Sequence, residues 1–243
     1  MKKLKKFIKN YFKIIIFILI SLFIISISIY IYFFKPYKID KDYSKIDLGD
    51  YNKLMIVAHP DDEILWGGAH LIEDNYLVVC ITCGTNKTRA NEFINAMNAT
   101  NDKYILLGYP DKTNRKRDNW NSSKIHLIKD LTDIINLKDW DLIVTHNPEG
   151  EYGHLHHKLT NSFVTDIYKQ KDKLYYFGRY HSKKTIHKYY NEMVPIDDAY
   201  VKEKKQIIGV YTSQIFIQTS FDHMFNYEDW VSYNEWSELD EKN

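Results

Sequence analysis

The chain has 243 residues, 44% hydrophobic and 27% charged, an ordinary globular balance that excludes collagen-like, low-complexity and wholly disordered classes. Its formal charge of +1 is unevenly divided: residues 1 to 45 carry +8 and the remainder −7, so the bulk of the chain lacks the basic footprint of a nucleic-acid binder. Two cysteines in a chain of this length do not make a disulfide framework.

From Ile14 to Phe34 no residue is charged and most are Ile, Phe or Leu. At roughly 1.5 Å per residue such a run spans a hydrocarbon core of about 30 Å, which predicts one transmembrane helix. A cleaved signal peptide would have a shorter apolar run ending in small residues, whereas here Tyr30-Ile31-Tyr32-Phe33-Phe34 leads into Lys35-Pro36. Tyr30, Tyr32 and Lys35 suit the far interface, and six lysines before the helix against four after it predict a cytoplasmic N-terminus with the main domain across the membrane. The predicted organisation is a basic segment and anchor over 1–35, a polar tether over 36–49 and one folded domain over 50–243.

Beyond Lys53, short β-branched runs alternate with segments of helical period, the mark of an α/β protein with a parallel sheet covered by helices. Predicted strands are Leu54 to Ala58, Leu77 to Thr82, Tyr104 to Leu107, Leu142 to Thr145 and Leu174 to Phe177. Predicted helices are Asp62 to Glu73, Arg89 to Thr100, Lys124 to Ile135, His154 to Lys169 and Lys202 to Tyr211. Cys80 and Cys83 fall on or beside a buried strand and read as small core residues pointing to opposite faces. The last 30 or so residues are rich in Phe, Tyr and Trp without a clear period, and should wrap onto the domain.

In open α/β sheets the ligand site lies beyond the C-terminal ends of the strands, where the winding reverses. With right-handed crossovers, the first and fourth strands become neighbours there. Two clusters then face each other. The first, Ala58-His59-Pro60-Asp61-Asp62-Glu63, crowds an imidazole and three carboxylates onto one turn, a costly arrangement unless a cation is present, although an Asp there could also serve as a helix cap. The second, Gly150-Glu151-Tyr152-Gly153-His154-Leu155-His156-His157, sets His154 and His157 on one helical face. The remaining single histidines, His70, His126, His181, His187 and His223, read as ordinary surface or core residues. Two His and one Asp make a facial site with open positions, for which zinc is the first choice and ferrous iron the alternative. Such a site activates water and polarises a carbonyl, so the inventory fits metal-assisted hydrolysis of an amide.

These residues resemble the PIG-L/LmbE-like zinc N-acetylglucosaminyl deacetylases. The likeness rests on Ala58-His59-Pro60-Asp61-Asp62-Glu63 and Gly153-His154-x-x-His157. Thr82-x-Gly84, Arg89-x-x-Glu92-x-x-x-Ala96 and Leu107-Gly108-Tyr109-Pro110-Asp111 support it, and it covers roughly Leu54 to Val164. The resemblance implies a Rossmann-like three-layer fold and a deacetylase-like catalytic domain over 50–243. It implies that His59, Asp62 and His157 bind zinc, that Asp61 is the general base and that His154 stabilises the tetrahedral intermediate or protonates the departing amine. Tyr152, Arg89 and Asp111 match positions near the acetyl group and the sugar, with a bracing role as the alternative for Arg89. The implied substrate is an N-acetylglucosamine-containing glycan, glycolipid or glycoside.

One position departs from the pattern: the family often has Pro-Asp between the two histidines, where this chain has Leu155-His156. The missing acid would orient His154, and Glu63, Glu149 or Glu151 are the candidates to replace it. Two rival readings remain, a non-catalytic sugar-binding module of the same fold and a Rossmann nucleotide binder. The second lacks a Gly-x-Gly-x-x-Gly loop after its first strand.

Overall fold

A computed structural model describes residues 2–34 and 42–241, with side chains described over 11–30 and 42–238. Contacts divide it into two compact units, one holding the N-terminal helix with 120–127, the other holding 42–119 and 128–241. In the first unit, helix α1 (Lys2–Phe34) contains a stretch, Tyr11–Tyr30, long and apolar enough to cross a membrane, with its side chains exposed. Of the predicted tether, 36–41 lies outside the described residues. Tyr43, just beyond, is buried in a short 3-10 turn.

The second unit is built in chain order from β1 (Lys53–Val57), α2 (Asp62–Glu73), β2 (Tyr76–Thr82), α3 (Lys87–Thr100), β3 (Lys103–Tyr109), a hairpin of β4 (Lys112–Thr113) and β5 (Lys116–Arg117), and, from residue 128 onward, α4 (Lys124–Ile135). There follow β6 (Leu142–Thr145), α5 (Leu155–Ile167), β7 (Leu174–Tyr176), α6 (Asp198–Ile208), α7 (Ile215–Ser220), β8 (Val231–Ser232) and α8 (Tyr233–Glu241). The sheet order is β3-β2-β1-β6-β7-β8. All pairs are parallel except β7 with β8. The winding reverses between β1 and β6, which pair from Lys53 with Leu142 to Ile56 with Thr145. Strand β1 loses all exposure from Leu54 to Val57, as a central strand covered on both faces must, each such side chain contributing roughly 1.5–3 kcal/mol.

Two helix starts move from their predicted places because a polar side chain caps them. Asn86 accepts from the amides of Thr88 and Arg89, so α3 starts at Lys87. Asp197 accepts from the Ala199 amide, so α6 starts at Asp198 and ends earlier, at Ile208. Gly84 lies so close to Leu107, whose carbonyl accepts from its amide at 2.9 Å, that an added Cβ would sit 2.4 Å from that oxygen. Only glycine fits where β2 leaves the sheet over β3.

The C-terminal aromatic segment wraps onto the domain, as its composition predicts. Helix α2 breaks its regular geometry at Gly67, and the break is repaired from this segment. Glu228 accepts from the amide of Ala69 at 2.8 Å and from Nδ1 of His70 at 2.8 Å, and pairs with the fully buried Lys204 ammonium at 2.6 Å. His70 stacks on Trp230, whose Nε1 donates to the Trp66 carbonyl. Burial opposes ionisation of Glu228, but the Lys204 ammonium and His70 outweigh it and hold the carboxyl at about 2. Its stabilising contribution is therefore present above the ordinary value of 4.5 and is lost as pH falls towards 2. Replacing Glu228 with Gln should cost about 3–5 kcal/mol in thermal or urea unfolding, because it strands Lys204 without a countercharge. Adding Lys204→Met should recover part of that loss; a double variant no more stable than Glu228→Gln would count against the pairing.

Candidate active site and metal centre

The site forms where β1 and β6 end side by side. After β1, the chain turns through His59-Pro60-Asp61 into α2, with Asp61 at φ 108°, a region that costs a non-glycine residue about 1–3 kcal/mol. Surrounding bonds hold that conformation. The Asp61 amide donates to Glu63 Oε2 at 3.0 Å, and Arg89, from α3, donates to Asp61 Oδ2 at 2.6 Å and to the Pro60 carbonyl. Asp61 stands at the helix-cap position but makes no side-chain cap, so its carboxylate is turned to Arg89 and the site. Burial and the neighbouring Asp62 carboxylate push it up to about 7, against the pull of Arg89.

The third acid of this turn leaves the site. Glu63 is fully buried, accepts from Tyr211 Oη and is pushed up to about 8 by burial, so it is uncharged at neutral pH. The crowding of acids is thereby reduced to Asp61 and Asp62. Asp62 Oδ2 accepts from the His59 amide at 2.8 Å and lies 3.1 Å from His59 Nδ1 and 3.3 Å from His157 Nε2. Burial works against the charged form here, yet the His157 and His146 imidazoles hold Asp62 well below the usual carboxylate range.

The second cluster is set by the loop after β6, where Gly150 adopts φ 68° with the His154 carbonyl 2.7 Å from where a Cβ would lie. Asn147 and Glu151 lock this loop: the Asn147 amide donates to Glu151 Oε1 and the Glu151 amide to Asn147 Oδ1. Asn147 Nδ2 also donates to the carbonyls of Phe177 and Gly178. The buried Glu151 then accepts through Oε2 from Nδ1 of both His146, at 3.0 Å, and His157. His146 has no lone pair to spare, since its Nε2 accepts from the Ala58 amide at 3.0 Å. Nε2 of His157, by contrast, is buried without a hydrogen-bond partner and aims at Asp62.

That arrangement tests the fit of a metal. With the proton of His157 on Nδ1, its bare Nε2 faces an ionised carboxylate oxygen, an opposition that a cation between them relieves. Among the described residues three overlapping groups of potential ligands meet here, His59, His154 and His157; Asp62, His146 and His157; and His59, Asp111 and His156, so the expected trio His59, Asp62 and His157 is drawn from the first two. The residues present therefore fit a bound cation, and the committed lone pair of His146 leaves it a supporting role.

All eight residues singled out in the sequence converge on this mouth. His154 stands at the N-cap position of α5 without a side-chain capping bond, and its ring lies 4.7 Å from that of His59 and 4.3 Å from that of His157. Tyr152, partly exposed, packs against His154, His157 and Phe221. Asp111 Oδ1 is 3.6 Å from His59 Nε2 and 3.7 Å from His156 Nδ1. None of the three acids proposed to orient His154 does so: Glu63 serves the Asp61 turn, Glu151 serves His146 and His157, and Glu149 lies 3.6 Å from Arg179. The group beside His154 is instead the Arg117 guanidinium, from β5. Burial and the nearby His157 and His59 push His154 down to about 2, so it is neutral.

Residues 54–168 match the family described as PIG-L, GlcNAc-PI de-N-acetylase. A curated relative, the uncharacterized protein L374 of Acanthamoeba polyphaga mimivirus, is 34% identical over 173 residues, which cover 64% of this chain and 73% of that protein. The chain belongs to the PIG-L family. Among solved structures, the A40926 pseudoaglycone deacetylase Dbv21 superposes with a TM-score of 0.54 at 15% identity, covering 72% of this chain and 87% of that one. The zinc-inhibited form of teicoplanin deacetylase Orf2 gives 0.51 at 16%, covering 71% and 89%. The 4-carboxy-2-hydroxymuconate hydratase GalB of Pseudomonas putida KT2440 gives 0.52 at 14%, covering 72% and 84%. These establish the LmbE-like α/β fold. Because the fold carries a hydratase as well as deacetylases, the reaction has to be argued from the site.

Proposed function

We propose that this PIG-L protein is a membrane-anchored, metal-dependent hydrolase that removes the acetyl group from an N-acetylglucosamine-containing glycan, glycolipid or glycoside. The observation that carries the reading is the convergence of His59 Nδ1 and His157 Nε2 on Asp62 Oδ2, with the Asp61 carboxyl on the adjoining residue. His59, Asp62 and His157 would hold zinc or ferrous iron, which supplies a Lewis acid for the acetyl carbonyl and lowers the pKa of water.

The chain's own residues then divide the work. Asp61, near 7, takes a proton from the attacking water and returns it to the departing nitrogen as the C–N bond breaks, giving acetate and a free amine. Arg89 fixes the direction of that carboxylate. Neutral His154 donates a hydrogen bond to the oxygen that becomes negative in the tetrahedral stage, and Arg117 beside it adds fixed positive charge. Asp111 and Tyr152 border the mouth on the side open to a sugar.

The full chain in detergent, stripped of metal and reloaded with zinc, should release acetate from a panel of N-acetylglucosaminides. Stoichiometric zinc with no release from any of them would favour the sugar-binding reading instead. The six lysines ahead of the uncharged run Ile14 to Phe34 favour a cytoplasmic N-terminus with the catalytic unit outside, which protease protection in sealed vesicles tests.

The hairpin at the mouth bears on the acceptor. Its turn residues Asn114 and Arg115 both have positive φ, and Lys112, Arg115 and Lys116 have no carboxylate within ion-pair distance among the described residues. Lys112 pairs across from Arg117 and so shares its face of the ribbon. This local positive charge on an acidic domain suits an acceptor with an anionic group. Its kcat/KM should fall as salt rises past roughly 0.1 M, where the Debye length is about 10 Å. A neutral N-acetylglucosaminide should show a flat profile, and equal salt slopes for the two substrates would remove the hairpin from recognition.

A further inference from the structure

We infer that His156 positions the metal ligand His59 by fixing which of its ring nitrogens carries the proton. The inference rests on the metal site proposed above and assigns a role to a residue that stands where the family often has an acid.

His156 is fully buried, and its Nε2 lies 2.7 Å from the Asp118 carbonyl oxygen. A carbonyl only accepts, so Nε2 of His156 carries the proton and Nδ1 of the neutral ring is left as an acceptor. That Nδ1 is 3.0 Å from Nε2 of His59. The proton of His59 is thereby drawn to Nε2, where it is shared with His156, and Nδ1 of His59 is left as a bare lone pair. Nδ1 is the atom that faces Asp62 Oδ2 at 3.1 Å. The result mirrors His157, whose proton is drawn to Nδ1 by Glu151 and whose bare Nε2 faces the same oxygen. Two imidazoles approach one carboxylate from separate directions, and each has its lone pair aimed by an acceptor behind it.

The wiring also separates the site proposed on Asp62 from the group His59, Asp111 and His156. That group could enclose an ion by distance alone, but it needs Nε2 of His59 without a proton. A neutral His59 cannot offer both nitrogens, so the site on Asp62 excludes the site on Asp111.

The test uses the full chain in detergent, with zinc alone as the probe. Long-range ¹H–¹⁵N spectra of the histidine rings should show His59 and His156 both protonated on Nε2, in the metal-free protein and after one equivalent of zinc. Competition with a chromophoric chelator should give one zinc per chain, and His156→Leu should weaken that affinity by about 10- to 100-fold. His156→Gln, which can still accept from His59 and donate to the Asp118 carbonyl, should restore most of it. The inference is overturned if zinc-loaded His59 is protonated on Nδ1, if His156→Leu binds zinc like the native chain, or if a second zinc is taken up and lost in Asp111→Asn. Should His156→Leu fail to fold, the native spectra decide alone. A native chain that binds no zinc overturns the metal reading along with this one, whereas zinc binding without acetate release touches only the proposed reaction.

Discussion

Replacing Asp61 with Asn should leave zinc bound and lower turnover by roughly 10²- to 10⁴-fold, the usual worth of a positioned general base. The amide keeps the volume and can still meet Arg89, and the three proposed ligands are untouched. What disappears is the ability to take a proton from water. The native profile should rise with pH through the neutral range, because burial and Asp62 place the Asp61 carboxyl at about 7 and only its ionised form can act. A cation at Asp62 offsets that neighbour's charge and should move the rising limb below 7. Acetate release measured against pH for both proteins checks the forecast. Native turnover in the Asn variant, or a native rate that falls across this range, would remove Asp61 from the reaction.

His157→Ala should instead abolish stoichiometric zinc uptake, with activity lost as a consequence. The substitution deletes a proposed ligand nitrogen that is buried without a hydrogen-bond partner, and it leaves Glu151 Oε2 with only His146, while Oε1 keeps the Asn147 amide. Zinc content after dialysis separates the two variants: Asp61→Asn retains the metal and His157→Ala does not. Glu151→Gln should fall between them, weakening zinc about 10- to 100-fold because it disturbs the carboxylate behind His157 and leaves the ligands themselves in place. If His157→Ala kept native zinc content, the ligand set would have to be redrawn around His59, Asp111 and His156.

The central architecture was readable because strands buried on both faces leave unbroken apolar runs. The predicted ranges of α2, α4 and β6 coincide with those observed, and the adjacency of the first and fourth strands follows from crossover handedness. The hairpin β4–β5 was not legible: its strands are two residues long, and its turn places Arg115 at φ 64°, where a glycine would have signalled a turn. With the hairpin hidden, Arg117 could not be placed beside His154. Both histidine clusters were visible as clusters, and every residue drawn from them lies in one mouth. Their wiring was not, since nothing in the sequence shows that Glu151 reaches back to His146 and His157 or that Glu63 turns inward to Tyr211. His146 gave one signal, its place directly after the fourth strand, and reading it as a lone histidine would have missed its bond to the first strand's end at Ala58.

Helix α2 begins at Asp62, at the mouth where the histidines converge, and is repaired at its break by Glu228, a residue more than 150 positions later. Synthesis runs from the N-terminus, so the strand and helix that open the domain emerge long before the carboxylate that completes them. Until that segment is made, Lys204 is without its partner carboxylate and Trp66 without the Trp230 indole that donates to its carbonyl. A chain that stops short of Glu228 carries all eight residues of the mouth but lacks the carboxylate that accepts from the Ala69 amide beyond the break in α2 and pairs with Lys204.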